Sequence, residues 1–275
     1  MIIANRSRSE NEYVFASDYC AGSQRLPLLA AIYDPVTRAY LERIDVARGW
    51  SCWEVGAGYG TIAHWLAERV GSTGQVLATD LDIRFLEPLR SPTLHVARHD
   101  IVFDALPSQR FDLIHARLLL CHLREREQVM DRMIESLKPG GWLVIEDYDS
   151  VSLLPDTGMD PPECSLQASS ALRELLRRRG VDLRFGRRIA GLLRARGLQQ
   201  VNAEGRVFMS LDGSAYAHLQ RLGLEQVRDD LLNLRLITPE NYERDLAALE
   251  HDFVAPLALL WSAAGCKAMH RRDVG

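Results

Sequence analysis

Apolar and polar positions along this chain follow two rhythms. Between residues 50 and 149, short apolar runs recur, each closed by an acidic or turn-forming residue: Trp50 to Val55, Gln75 to Thr79, Leu94 to Arg98, Phe111 to His115 and Gly141 to Ile145. Runs of this length and composition read as strands buried on both faces. Between them, apolar residues recur three and four apart, the spacing of a helix with one buried stripe. Ile62 to Val70 is one such segment, and Ile83 to Leu89, stopped near Pro92, is a second. Glu125 to Leu137 is a third, striped by Val129, Met130, Met133, Ile134 and Leu137 and terminated by Pro139-Gly140-Gly141. An earlier helix over 24–46 presents Leu26, Leu29, Ile32, Tyr33, Val36, Tyr40, Leu41 and Ile44 on roughly one stripe. Strands alternating with helices predict right-handed βαβ crossovers and a mostly parallel sheet with helices on both faces, an α/β fold.

After residue 150 the rhythm loosens. Ser150 to Cys164 is rich in Pro, Asp and Gly and reads as a loop. Helical patterns follow over Ser165 to Arg179, Gly186 to Arg196 (ended by Gly197), Tyr216 to Leu236 and Pro239 to Leu249. Leu198 to Leu211 and Phe253 to Ala263 read as strands. The chain shows no internal repeat and no low-complexity tract.

Composition narrows the class. The 275 residues suffice for a sizeable buried core, and a net charge of −4 gives no basic footprint for a dedicated nucleic-acid binder. No apolar stretch approaches 18 residues, and Met1 to Glu12 has no signal-peptide core. The five cysteines (Cys20, Cys52, Cys121, Cys164 and Cys266) lack close pairing, as expected of reduced thiols in a cytoplasmic protein. Of 33 basic residues only Lys138 and Lys267 are lysines, a bias that points to a GC-rich bacterial genome.

Candidate chemistry begins at Glu54-Val55-Gly56-Ala57-Gly58-Tyr59-Gly60-Thr61. A strand ends in an acid, and alternating glycines then lead into a helix. Glycine tolerates positive φ and lets a ligand approach the backbone. Thr61 stands where a dinucleotide fingerprint needs its last glycine, which disfavours a nicotinamide oxidoreductase. Twenty residues beyond Gly60 lies Asp80, followed by Leu81 and Asp82; an acid there can accept two hydrogen bonds from ribose hydroxyls.

Five motifs in order carry a family resemblance: Glu-Val-Gly-Ala-Gly-Tyr-Gly from Glu54, Ala-Thr-Asp-Leu-Asp from Ala78, His-Asp-Ile from His99, Phe-Asp-Leu-Ile from Phe111 and Leu-Lys-Pro-Gly-Gly-Trp-Leu from Leu137. Over residues 50 to 149 the set resembles the class I S-adenosylmethionine-dependent methyltransferases. The resemblance implies a Rossmann-like, seven-stranded, mostly parallel sheet with its last strand antiparallel, placing 198–211 and 253–268 in the sheet. It implies an N-terminal helical arm or lid over 1–46, a cofactor-binding core over 47–150, and the rest of one domain over 151–275. Segments 150–185 and 212–250 are then helical cap inserts. S-adenosyl-L-methionine is the implied cofactor. The implied partner is a small-molecule methyl acceptor, with no nucleic acid and no membrane, and a homodimer is left open. The implied reaction is methyl transfer to O, N or C, in bacterial natural-product biosynthesis. Alternatives are a fold relative that uses the cofactor for a cyclisation or rearrangement, and a nucleic-acid methyltransferase.

The same resemblance assigns residues. Gly56, Gly58 and Gly60 form the turn under the cofactor, and Glu54 orders it. Asp80 takes the ribose, with Asp82 as rival, and Leu81 an adenine face. Asp100 receives the adenine amino group, and Ile101 lies on the other face. Arg117 lines the methionine end through its backbone, and Tyr13 and Arg25 reach over the cofactor from the arm. Each has an ordinary competitor: a plain strand-to-helix turn for the glycines, a helix cap for Asp80, an Asx-turn for Asp100, a packing arm for Tyr13.

Transfer from a sulfonium depends chiefly on positioning, which can lower such a barrier by roughly 7–11 kcal/mol. A base is needed only when the acceptor must lose a proton. His122, just past the fourth strand, is the candidate base, and bracing of its loop is the competing role. His115 reads as a packed core histidine and His99 as a neighbour of the adenine pocket. Glu146-Asp147-Tyr148-Asp149 read as solvated or substrate-lining acids and not as a metal site. Asp160-Pro161-Pro162-Glu163 reads as a helix start. The arginine-rich stretch from Arg173 to Arg196, interleaved with Glu174 and Asp182, reads as a solvated helix face.

Overall fold

The computed structural model describes residues 19–107, 110–152, 166–210, 213–249, 255–256 and 259–269. Tyr13 and the segment Asp160 to Glu163 lie outside them. In chain order the elements are α1 (Tyr19–Arg43), β1 (Ser51–Val55), α2 (Thr61–Val70), β2 (Gln75–Asp80), β3 (Leu94–Arg98), β4 (Phe111–Arg117), α3 (Arg126–Ser136), β5 (Leu137–Asp149), α4 (Gln167–Arg178), α5 (Ile189–Ala195), β6 (Gln199–Arg206), β7 (Met209–Ser210), α6 (Ala215–Gln226), α7 (Arg228–Asn233), α8 (Pro239–Ala248), β8 (Ala255–Pro256) and β9 (Leu259–Cys266).

Seven strands form one sheet in the order β3-β2-β1-β4-β5-β9-β6. β9 runs antiparallel to both its neighbours, and the others run parallel. The Rossmann-like α/β expectation therefore holds, including its antiparallel strand. The chain leaves β1 toward β2 and β3, then returns to place β4 on the other side of β1. That reversal opens a crevice beyond the carboxyl ends of β1 and β4, where ligands of open α/β sheets sit.

Period-2 alternation distributes the core between two faces. Cys52, Val76, Ala78, Leu113, Val144 and Ala264 face α1 and α2, meeting Tyr40, Leu41, Ile62, Leu66 and Val70. Trp53, Val55, Ile114, Ala116, Leu143 and Ile145 face the opposite way, onto α3, α4 and α5 through Met130, Met133, Leu175, Ile189 and Leu193. Pro27 and Pro35 interrupt the hydrogen-bond ladder of α1, so packing on the sheet and on α6 must supply much of its stability.

Four expectations are corrected. Residues 83–89 form no crossover helix: only a 3-10 turn at Glu87–Leu89 appears, because Pro88 lacks a donor and the connection to β3 is short. Leu137 to Gly141 belongs to β5, after α3 ends at Ser136, and Gly140 adopts φ 79° at an irregularity in the strand. The helix expected over 216–236 breaks at Val227 into α6 and α7. Met209–Ser210 and Ala255–Pro256 leave the main sheet and pair with each other as a separate ribbon.

Two glycines offer a controlled comparison. A Cβ on Gly186 would run into the Asp147 carbonyl and lie 2.9 Å from that of Tyr148, whereas Gly191, within α5, has nothing within 4 Å. Gly186→Ala should lower unfolding free energy by about 1–3 kcal/mol. Gly191→Ala should raise it by about 0.5–1 kcal/mol through helix propensity and reduced unfolded-state entropy. Urea unfolding of both variants checks the pair.

Candidate active site

The turn from β1 to α2 rests on conformations that glycine supplies. Gly56, Gly58 and Gly60 have φ of 69°, 53° and 80°. The amides of Gly56 and Ala57 donate to the Thr79 carbonyl at 2.9 and 3.0 Å, fastening the turn to the end of β2. Space enforces the same choice. A Cβ on Gly60 would lie 2.5 Å from Leu89 and 2.7 Å from Leu86, and one on Gly56 would lie 3.1 Å from Leu119. Above Gly58 sits Leu26 of α1, 3.5 Å from where a Cβ would be. The turn is thus approached from one side by Leu119 and from the other by α1.

Asp80 completes this unit. One carboxylate oxygen accepts from the Gly58 amide at 2.9 Å, and the other from the Asp82 amide at 3.1 Å. Burial raises its pKa, opposed by these backbone donors. A carboxylate offers about four acceptor positions, so two remain for a ligand diol. Asp82, the rival, is engaged by the Arg84 guanidinium at 2.6–3.0 Å. Leu81 is 46% exposed at the crevice rim, a large apolar face open to a planar ligand. Asp100 adopts the Asx-turn, one oxygen accepting from the Val102 amide at 2.8 Å. Ile101 is 5% exposed within the core. The His99 ring stands edge-on to Trp53 at 5.6 Å, and its Nε2 pairs with the Ala105 carbonyl.

At the mouth of β4 the backbone is strained. Leu118 has φ 54°, a conformation costing a branched residue of order 1–3 kcal/mol. Its amide, donated to the Glu146 carbonyl at 2.8 Å, holds it there and swings Leu119 onto Gly56. Nothing in the sequence marks Leu118 or Leu119 for this place, because a left-handed leucine has no composition signal, and Leu26 is marked only as part of the α1 stripe. Arg117 turns its guanidinium to α1, donating to Asp34 and Thr37 at 2.8 Å each. His122 closes a 3-10 turn at Leu120–His122. The preceding Cys121 amide donates to Asp147 at 2.9 Å, tying that turn to β5.

Of the two sequence readings for the acids at the end of β5, solvated or substrate-lining, the first is overturned: Glu146, Asp147 and Asp149 are all fully buried. Burial pushes the Asp147 carboxyl up to about 6, against the hydrogen bonds it accepts around Cys121. Asp149 is held by Arg187 at 2.5 Å, and side-chain hydrogen bonds from Arg187 and Ser152 keep its pKa below the usual range in spite of burial. The rest of the arginine-rich stretch is spent on pairs such as Arg177 and Arg178 with Glu174 and Arg196 with Asp131.

His115 is buried as expected, but in a polar network and not in an apolar core. Its Nδ1 lies 2.7 Å from Glu54 and its Nε2 3.3 Å from Glu146, with the ring fully buried. Parallel register sets Glu54 beside His115, and antiparallel register sets Glu146 beside Ser262, whose hydroxyl donates to it. The Thr37 hydroxyl of α1 donates to the other Glu146 oxygen. The side-chain partner of Glu54 is thus His115, not a residue of the turn. Beside it, Tyr33 of α1 and Tyr148 of β5 share a hydrogen bond at 2.9 Å, and Phe208 stands edge-on to Tyr33 at 5.2 Å. Tyr216 of α6 joins this group, and Arg25 lies near enough to influence the Tyr148 and Tyr216 phenols. Burial raises all three phenol pKa values, so they stay neutral.

These residues fit a nucleoside with an anionic-site partner: a turn a side chain would fill, a carboxylate with acceptor positions left, and an exposed apolar face at Leu81. Known proteins bear the fold out. A family model described as a methyltransferase domain matches residues 28–200. Methyltransferase str3 of Strobilurus tenacellus is 28% identical over 165 residues, covering 60% of this chain and 58% of that protein. Methyltransferase GfsG of Streptomyces halstedii is 31% identical over 171 residues, covering 56% and 61%. The chain therefore spans less than two thirds of the length of these relatives. Among solved structures, a Haemonchus contortus phosphoethanolamine N-methyltransferase 2 in complex with phosphomonomethylethanolamine and S-adenosylhomocysteine aligns with a TM-score of 0.52 at 17% identity. That alignment covers 81% of this chain and 50% of the other, a likeness of fold. Among the described residues no helix is long and apolar enough to cross a membrane.

The His115 network makes stability depend on pH. Burial alone would depress the imidazole pKa, but the charges and hydrogen bonds of Glu54 and Glu146 outweigh it and raise the value to about 9. A raised folded-state pKa stabilises fully below the unfolded value of about 6.5, and that contribution is lost as pH climbs through 9. Unfolding free energy should fall by about 3 kcal/mol between pH 6.5 and 9.5. Urea titrations across that window check this, and His115→Gln should flatten the profile.

Proposed function

The chain belongs to the class I S-adenosylmethionine-dependent methyltransferases, and from that premise we propose that it moves a methyl group to an O, N or C atom of a small molecule in bacterial secondary metabolism. When bound, the cofactor supplies an electrophilic sulfonium methyl. The chain's own contribution is to hold, orient and enclose. The observation that carries this reading is the unit formed by the glycine turn and Asp80, with the Gly58 amide held on its carboxylate at 2.9 Å.

In this reading the Gly56, Gly58 and Gly60 turn takes the cofactor against bare backbone, while Asp80 orients the ribose hydroxyls. Leu81 and Ile101 flank the adenine, and Asp100 takes its amino group through the oxygen its Asx-turn leaves spare. The Arg117 backbone lines the methionine end. Leu119 and Leu26 exclude water from the turn, which strengthens the electrostatics of a charged ligand there. α1 is the arm over the site, with Arg25 contributing to its inner side, and segments 150–185 and 212–250 cap the acceptor pocket. The three neutral phenols Tyr33, Tyr148 and Tyr216 line that pocket. His122 takes the acceptor proton when the acceptor carries one. The net charge of −4 favours a small molecule over nucleic acid as acceptor.

Two tests follow. Asp80→Ala leaves the Gly58 and Asp82 amides without their acceptor, and Gly58→Arg fills the turn. Each should weaken S-adenosylhomocysteine binding in calorimetry by about 5- to 100-fold, the range expected for loss of one or two charge-assisted hydrogen bonds. Unchanged affinity would overturn the assignment. His122→Asn should lower kcat by about 10²–10⁴-fold with cofactor affinity intact; an unaffected kcat would make His122 a brace. Product mass, higher by one CH2 for methylation and unchanged for cyclisation, separates transfer from rearrangement.

A further inference from the structure

The buried charges between β1 and β5 reach the helix that crosses the site. α1 lies with Leu26 over Gly58 and, further along, sends Asp34 and Thr37 into the strand mouths; both are buried. Beyond them the Tyr40 hydroxyl donates to the Asn202 side chain at 2.5 Å on β6. A continuous chain of contacts then runs to α1 from Glu54, two residues before the glycine turn: Glu54 on β1, His115 on β4, Glu146 on β5, Thr37 on α1. Arg117 braces its far end through Thr37 and Asp34.

Donor and acceptor bookkeeping fixes the protons. The Thr37 oxygen accepts from Arg117, so its own hydrogen goes to Glu146, and the Ser262 hydrogen goes to the other oxygen of Glu146. In spite of burial, the hydrogen bond and charge of His115 hold the Glu146 carboxyl below its ordinary pKa, so it is an ionised acceptor and the His115 Nε2 facing it donates. The His115 Nδ1, at 2.7 Å from Glu54, is equally placed to donate to a carboxylate. Both ring nitrogens carry hydrogen, and the ring is an imidazolium between two anions. Without that charge the two carboxylates would share one buried neighbourhood with no cation directly between them, an arrangement burial makes costly.

We propose that His115 is a positioning residue: clasped between Glu54 and Glu146, its imidazolium locks α1 onto the strand mouths, so that docking of this helix and occupation of the glycine turn are coupled. The inference rests on the reading of that turn as the cofactor site. Its mechanism is linkage: a ligand on the turn and a docked α1 each favour the same arrangement of Glu54 and Glu146, so each strengthens the other. The titratable groups facing the ring are Glu54 and, behind it, Cys52 from β1; Glu146 from β5; and Asp34 and Tyr40 from α1. Arg117 stands on its own strand, and Ser262 is the neutral partner from β9. Burial holds Cys52 and Tyr40 well above their ordinary pKa values. His115 is then the group in this set whose proton comes off as pH rises through about 9.

Hydrogen exchange and calorimetry, with S-adenosylhomocysteine as the probe, test this on the full chain. Thr37→Val removes the α1 end of the contact chain and leaves the carboxylate–imidazolium group in place, so it serves even where His115→Gln fails to fold. In the wild type, ligand should slow exchange of α1 amides at least tenfold. Thr37→Val should abolish most of that slowing and weaken affinity about tenfold at pH 7, with exchange in β1 and β4 unchanged. Between pH 7 and 10 the wild type should lose affinity about tenfold more than His115→Gln, the difference isolating His115 from titration of the ligand's own amine. Equal α1 protection in Thr37→Val and wild type, or superimposable pH profiles for wild type and His115→Gln, would overturn the proposal. Absence of binding to the wild type would instead defeat the cofactor reading, and α1 exchange without ligand, faster in Thr37→Val if the lock exists and unchanged if it does not, would decide the proposal alone.

Discussion

The hydrogen bond from the Gly58 amide to the Asp80 carboxylate is the constraint on which the site depends. It joins the ends of β1 and β2, and in the proposed reading it holds still both the backbone and the acid that meet the cofactor. Three positive-φ glycines would otherwise be among the most mobile residues of the chain, because glycine has the most backbone freedom to lose. Asp80 converts that freedom into a fixed turn by accepting from the Gly58 and Asp82 amides. In the proposed reading the acid is a strut and a binding group at once, while its competing reading as a helix cap falls away because no α-helix follows β2 before β3.

The sheet supplies the rest by register. Glu54, His115, Glu146 and Ser262 lie on four adjacent strands, and each points to the α1 face. Parallel pairing of β1, β4 and β5 and antiparallel pairing of β5 with β9 make their side chains neighbours although they are up to 208 residues apart in sequence. Together with Thr37 and Arg117 they form a polar seam in an otherwise apolar interface. A seam of this kind adds little net stability over a hydrophobic one, but it specifies a single orientation of α1, a proline-interrupted helix whose apolar face alone would tolerate others.

Much of the fold was legible because its signals are local. Five strands could be located by their short apolar runs, three of them closed by Gly56, Asp80 and Glu146, and β3 matched residue for residue. The glycine turn announced itself by composition. What escaped has physical causes. The Ile83 to Leu89 stripe is helical in spacing, but Pro88 and the short span to β3 leave only a 3-10 turn. Glu146, Asp147 and Asp149 read as solvated because charge alone suggests water; their partners, Thr37, Cys121 and Arg187, come from elements whose adjacency depends on topology. His115 was placed correctly in the interior, but its charge state follows from register, which a single sequence does not disclose. The left-handed Leu118 has no sequence signature at all.

The most direct measurement is a crystal structure of the protein grown with S-adenosylhomocysteine. The account predicts density for the nucleoside along the Gly56 to Gly60 backbone, with ribose oxygens within hydrogen-bond distance of Asp80 and the adenine against Leu81. Density elsewhere, or an Asp80 carboxylate bonded to Gly58 and Asp82 with the ligand lodged away from it, would contradict the account.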